Sequence, residues 1–304
     1  MHVLIAGCGW LGTALARALL ARGDRVTGVR SDPGRAAALA AMGIEPLALD
    51  LAVPGTEERI PDGVEGIVAC QSARGDGPAP YRRAYVEATA TLLAVAARRG
   101  VRALVYTGST GVFGQRDGSD VDELTAPAPA SPSAEVLVEA ERRVLVAART
   151  GVPSRIVRLS GLYGPGRTWM IDRVCSGQLA LGPGDGAWMN SCHLDDAVNA
   201  VLAVLDRGRD GAVYHATDAE PMRRRDLIAI VAQGLGIPAP RAAAARGAVP
   251  GTVPGMPDRR GTVPGMPDRR ILGARTRAEL GLSLRWPSLK EGLQPFLAGA
   301  PASR

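Results

Sequence analysis

The first thirty residues constrain the fold more than any other stretch. The apolar run His2-Val3-Leu4-Ile5-Ala6 leads straight into Gly7-Cys8-Gly9-Trp10-Leu11-Gly12. Leu11, Leu15, Ala18 and Leu19 then recur at helical spacing, broken by Arg17 and Arg22. A second apolar run, Val26-Thr27-Gly28-Val29, ends at Arg30. The order predicts strand, glycine turn, helix and strand, the opening of a dinucleotide-binding unit. Gly7 allows the tight turn, Gly9 lets the backbone approach a pyrophosphate, and Gly12 lets the helix pack against the sheet. Phosphate oxygens are expected at the helix N-terminus, beside Trp10 and Leu11, where free N–H groups and the helix dipole favour negative charge. A plain glycine turn with no ligand is the competing reading of the same residues.

The next strand ends refine the ligand. Many NAD enzymes place an acid where Arg30 stands, to bind the ribose hydroxyls. An arginine there pairs instead with a 2′-phosphate, so NADP is expected in preference to NAD, with Ser31 adding a hydrogen bond. Asp32 fits the acidic slot by count alone, and a merely solvated Arg30 is the alternative. The third strand, residues 44–49, ends at Asp50-Leu51, an acid placed to reach the adenine amino group. The fourth, residues 66–70, runs into Gln71-Ser72-Ala73, a small-residue turn expected to pass beneath the cofactor.

Strand and helix alternate further on. A short helix is expected over 33–42 and a long one over 81–99, closed by Gly100. A strand over 101–106 precedes Thr107-Gly108-Ser109-Thr110-Gly111-Val112-Phe113-Gly114, with Thr107 expected at the cofactor. A polar, proline-rich loop over 115–133, a helix over 134–150 and a strand over 153–159 follow. This pattern predicts an α/β chain with a doubly wound parallel sheet, Rossmann-like, over 1–165. Parts of 187–216 are expected to complete the sheet, and 166–304 to form mainly a smaller C-terminal substrate domain. Gly251–Arg260 reads GTVPGMPDRR and Gly261–Arg270 repeats it unchanged, which suggests a duplication in a loop that tolerates length.

The chain has 304 residues, and a hydrophobic content of 46% supplies the core that such a fold needs. The formal charge is +6, carried by scattered arginines, so no nucleic-acid face is expected. No apolar stretch reaches the length of a membrane span, and no basic leader precedes the first strand, which predicts a cytoplasmic protein. Cys8, Cys70, Cys175 and Cys192 form no CxxC pair, and His2, His193 and His215 do not cluster with them. No metal site is expected, and the thiols read as reduced.

Tyr106 to Gly114, Arg158-Leu159-Ser160-Gly161-Leu162-Tyr163-Gly164-Pro165-Gly166-Arg167 and His193-Leu194-Asp195-Asp196-Ala197 each resemble segments of the extended short-chain dehydrogenase/reductase superfamily, in its NAD-dependent epimerase/dehydratase branch, in the order found there. The resemblance implies an NAD(P)-binding domain, a substrate cleft against a small C-terminal domain, and homodimers formed through two long helices, here 81–99 and 134–150. It also implies an active-site tyrosine with a lysine four residues later on one helix, and a Ser or Thr that orients the substrate oxygen. Ser109 matches that Ser/Thr. The helix that should carry the pair reads Ser131-Pro132-Ser133-Ala134-Glu135-Val136-Leu137-Val138-Glu139, and the sole lysine, Lys290, lies near the C-terminus. Tyr85 takes the place of the family's asparagine. The chain therefore reads as an atypical member. Substitute proton donors are sought in Tyr163, which either faces the nicotinamide or packs against its own loop, and in His193, which either titrates or caps a helix. Asp195 and Asp196 read as caps. The expected function is an NADPH-dependent reductase of a small organic substrate. Two alternatives stay open: a non-catalytic NADP-binding sensor, and a sugar-nucleotide epimerase or dehydratase.

Overall fold

The computed structural model describes residues 1–182, 184–241 and 267–298. Strands β1 (His2–Ala6), β2 (Arg25–Arg30), β3 (Glu45–Ala48), β4 (Gly66–Ala69), β5 (Ala103–Ser109), β6 (Ser154–Leu159) and β7 (Val213–Ala216) form one sheet in the order β7-β6-β5-β4-β1-β2-β3. Every neighbouring pair is parallel. Strand order reverses between β1 and β4, so a crevice opens beyond the C-terminal ends of those two strands.

The strands are apolar on both faces because helices cover both. Ile5, Val68 and Val105 pack with Leu15 and Leu19 of the helix Trp10–Ala21 and Val201 and Val204 of the helix Leu194–Arg207. Leu4, Ile67 and Leu104 face the other way, toward Leu92 and Val95 of the helix Ala88–Arg99 and Val144 of the helix Pro132–Arg149. This alternation along single strands is the period-2 signature of a sheet buried on both sides.

Several boundaries differ from expectation: the helix expected over 33–42 stops at Ala37, with a separate 3-10 turn over Ala40–Met42, and two further differences bear on the site. The helical run expected from Tyr81 begins at Pro78 and passes through a π turn, Arg82–Glu87, before the regular helix Ala88–Arg99. Pro78 sets the first-turn φ and needs no N–H partner there. Strand β5 runs past Tyr106 to Ser109, because Thr107, Gly108 and Ser109 keep pairing with Val157, Arg158 and Leu159 of β6. Ser109 is thus held at a strand tip rather than in a loose turn.

Beyond β6, Gly161–Tyr163 pairs in parallel with Ser191–His193. Tyr163, Val174, Leu227, Val231, Leu289 and Leu293 form a separate core for the C-terminal part. The segment 251–266 of the tandem decapeptide lies outside the described residues. Its last residues lead into the strand Arg269–Ile271, which pairs in parallel with Ser119–Val121. No helix among the described residues is long and apolar enough to cross a membrane.

Candidate functional site

The three glycines are required for different physical reasons. Gly7 has φ +77°, and a Cβ there would lie 2.3 Å from the Gln71 Cα, so the turn after β1 presses directly on the turn after β4. A Cβ on Gly12 would fall 2.9 Å from the Gly7 carbonyl oxygen and 3.0 Å from the Ile5 side chain. Above Gly9 the nearest atom is the Gly7 carbonyl oxygen at 3.7 Å, so this position alone opens onto free space. The helix Trp10–Ala21 starts with no side-chain cap and no acid in its first turn. Its first N–H groups therefore lack a side-chain acceptor, as an anion site requires.

A cleft of about 550 Å³ lies over this turn. Gly7, Gly9, Arg30, Ser31, Asp50, Leu51 and Ser72 line it together. Arg35, Arg74 and Arg83 also line it and were not anticipated. Arg83 pairs with Asp50 at 2.6 Å. Arg30 donates through Nε to the Cys8 carbonyl, which ties its side chain to the glycine turn. Asp32 accepts the Arg35 N–H at 2.7 Å and caps the helix Pro33–Ala37. Its carboxylate is committed to the backbone.

Five other expected cofactor residues do not line the cleft. Leu11 is 9% exposed and belongs to the core. Gly12 packs under the turn. Thr107 spends its hydroxyl on the Ala69 carbonyl at 3.1 Å, between β4 and β5. Trp10 donates from Nε1 to the Pro165 carbonyl at 2.9 Å, and the Arg167 guanidinium sits 5.3 Å from its ring, so it straps the loop after Tyr163 to the glycine turn. Ala73 is hydrogen-bonded through its backbone to Tyr85.

At the β5 tip, the Ser109 Oγ accepts the Gly111 N–H at 3.0 Å, which leaves its own O–H free to donate. Beneath it, Arg158 and Glu141 form a buried ion pair with Nη2 to Oε2 at 2.8 Å. The helix Pro132–Arg149 holds neither tyrosine nor lysine. Its Leu137 packs with Val112 and Phe113 instead. Lys290 is exposed at the start of the helix Leu289–Ala298.

The two candidate proton donors lie elsewhere. Tyr163 is fully buried, its hydroxyl has no partner among the described residues, and it fills the space left by Gly292, where a Cβ would come 2.0 Å from the hydroxyl. Burial pushes this phenol far above its ordinary pKa. Of the two readings of Tyr163, the geometry is that of packing: a sealed phenol has no route to deliver a proton. His193 is 3% exposed, lies between the rings of Tyr163 and Trp286, and accepts the Asp195 N–H through Nδ1 at 3.1 Å. It caps the helix Leu194–Arg207. Asp196 accepts the Arg285 and Trp286 N–H groups at 2.8 and 3.0 Å, fastening the C-terminal segment to this helix.

Burial pushes the His193 imidazole below its ordinary value, against the pull of Asp195 and Asp196. The folded chain therefore takes up this proton at lower pH than the unfolded chain. The resulting stabilisation is complete above about pH 6.5 and disappears as pH falls through the folded value. In urea denaturation, the stability advantage of the wild type over His193→Asn will shrink as pH falls below about 6.5. A constant or growing difference would contradict a neutral capping imidazole.

Residues 3–217 match the NAD dependent epimerase/dehydratase family. Protein YeeZ of Escherichia coli (strain K12) is 31% identical over 226 residues, spanning 73% of this chain and 79% of its own. A 3-diazoavenalumate denitrifying reductase from Streptomyces sp is 30% identical over 260 residues, or 79% of this chain and 84% of its own. A conserved protein of unknown function from Silicibacter pomeroyi DSS has a solved structure that superposes with a TM-score of 0.73, at 28% identity and 98% coverage of each chain. The parallel sheet, the glycine turn at its switch point and these matches lead to one conclusion: the chain belongs to the NAD dependent epimerase/dehydratase family, NAD(P)-binding oxidoreductases of Rossmann-like fold.

Proposed function

We propose that the chain is an NADPH-dependent reductase of a small organic substrate. One observation carries the cofactor preference. Where β2 meets the cleft, Arg30 and Arg35 have no carboxylate within 4 Å among the described residues, beside the Ser31 hydroxyl, while Asp32 is spent on a helix cap. Two uncompensated guanidiniums and a hydroxyl suit a 2′-phosphate, whereas recognition of a plain ribose would want a free acid. The open space over Gly9 and the uncapped helix behind it suit the pyrophosphate.

Bound NADPH would supply hydride. Ser109 donates its free O–H to the acceptor atom of the substrate and orients it at the β5 tip. With Tyr163 sealed and the His193 Nδ1 taken by its cap, water is the proton source in this reading. A site without the tyrosine–lysine pair suits an acceptor that needs little acid assistance, such as an iminium or a conjugated carbonyl. The same composition weighs against transient oxidation of a sugar alcohol, which requires a strong base. The relative named as a 3-diazoavenalumate denitrifying reductase supports reduction as the direction.

The absent pair is equally compatible with a sensor that binds NADP and never turns over. Transfer of deuterium from labelled NADPH to one defined carbon of a substrate separates the two. Cofactor choice is tested on Arg30→Asp. Its affinity for NADPH will fall about ten- to hundredfold, the worth of a charge-assisted hydrogen bond, with NADH affinity retained. Equal losses for both cofactors would defeat the assignment of Arg30 to the 2′-phosphate.

A further inference from the structure

We propose that Arg269 is the receptor for a carboxylate group of the substrate, placed beside the Ser109 hydroxyl; the proposal rests on the reading of this site as a reductase site. Arg269 opens the strand Arg269–Ile271. Its Nη2 donates to the Thr110 carbonyl at 2.9 Å. Thr110 directly follows Ser109, so the guanidinium is anchored one residue from the hydroxyl assigned to the acceptor atom.

Among the described residues the rest of that guanidinium is uncommitted: of its five N–H groups, one is used by Thr110, and the buried Nε has no partner. No carboxylate lies within 4 Å of it among the described residues. Its neighbours differ. Arg270 forms a bidentate pair with Asp120, and Arg223 lies 3.6 Å from Asp268. Burial lowers the Arg269 pKa to about 10, which still leaves a cation at neutral pH. A partly buried charge without a counter-charge carries part of the desolvation cost of a fully buried one, which a bound anion would offset.

The surrounding strands hold the guanidinium in place. Asn190 donates from Nδ2 to the Arg269 carbonyl at 2.9 Å and accepts the Ile271 N–H at 2.7 Å. The Trp188 N–H donates to Asp268 at 2.9 Å. The Trp188 indole Nε1 is also buried without a partner among the described residues, and its ring is covered by Arg223 at 3.6 Å. One uncompensated positive charge matches a monoanion. A phosphate dianion would leave excess negative charge near Asp268 and Asp120, whereas a carboxylate pairs with a guanidinium edge through two parallel hydrogen bonds.

The test uses the full chain saturated with NADP⁺ and isothermal titration with three probes: acetoacetate, its methyl ester and inorganic phosphate. In the wild type, acetoacetate will bind about tenfold or more tighter than the ester, from which it differs only by the carboxylate. Arg269→Gln will bring that ratio close to one, and Arg269→Lys will keep part of it, since lysine retains charge without the planar fork. Melting temperature and NADPH affinity of each variant establish that it is folded, and the lysine variant carries the test if the glutamine variant is not. Equal or absent binding of acid and ester by the wild type overturns the proposal. So does a ratio unchanged in Arg269→Gln, or phosphate binding tighter than acetoacetate. Loss of NADPH binding by the wild type defeats the reductase reading itself; intact NADPH binding with a ratio near one defeats only the role of Arg269.

Discussion

Replacing Glu141 by alanine will lower the unfolding free energy by about 3–5 kcal/mol, the typical penalty for stranding one partner of a buried ion pair. Glu141 is 2% exposed and Arg158 is 3% exposed. The carboxylate accepts Arg158 Nε and Nη2 at 3.0 and 2.8 Å, while the Arg158 guanidinium lies 4.9 Å from the Phe113 ring. Burial pushes the Glu141 carboxyl up, and Arg158 opposes that rise. Arginine cannot discharge at any ordinary pH, so Glu141→Ala leaves a bare cation beneath β5. Arg158→Leu leaves a carboxyl that can take a proton, so its loss will be smaller. The double variant Glu141→Leu/Arg158→Leu will recover much of the stability, since apolar replacement of a buried pair is commonly near neutral. Denaturant titration of the three variants measures this. A loss below about 1 kcal/mol in Glu141→Ala would refute the account, because that is the scale of an exposed pair. The site feels the change as well. A Cβ on Gly108 would lie 2.9 Å from the Glu141 Oε1, so the carboxylate packs directly under the strand tip that carries Ser109.

The parallel sheet was legible because its strands are short apolar runs separated by helical spacing, a pattern set by local sequence. The cofactor end was legible because the glycine turn and strand ends carry it in chain order. Arg35, Arg74 and Arg83 were not, since they come from a short helix, a loop and a π turn that only the folded chain gathers over one cleft. An α and a π turn share nearly the same side-chain pattern, so Arg82–Glu87 left no signal. Position after a strand placed Tyr163 near the cofactor, but the direction of its side chain is set by the missing Cβ of Gly292, far along the chain. Asp32 matched an acidic slot by count, whereas its position before Pro33 makes it a cap, a local signal that was readable. Arg269 was hidden differently. It stands at the end of a tandem repeat that reads as tolerated length, and its role depends on Thr110, Trp188 and Asn190, which the fold brings to it.

Gly9→Ala and Gly7→Ala will have opposite signatures, and the pair tests the cradle itself. Gly9 has φ −87°, on the side open to every residue, and a new Cβ would meet nothing closer than 3.7 Å. Its stability will therefore stay within about 1 kcal/mol of wild type. The added methyl enters the space assigned to the pyrophosphate, and overpacking of about 1–3 kcal/mol there converts to a roughly ten- to hundredfold loss of NADPH affinity. Gly7 is the reverse case. Alanine there carries the left-handed penalty of about 1–2 kcal/mol and also drives a Cβ to 2.3 Å from the Gln71 Cα, a backbone atom that cannot swing aside. The turns after β1 and β4 must separate, so thermal stability falls before any ligand is added. Melting curves without cofactor, followed by fluorescence titration with NADPH, read both effects. If Gly9→Ala binds NADPH as the wild type does, the pyrophosphate does not cross this turn, and the glycine at position 9 serves the chain alone.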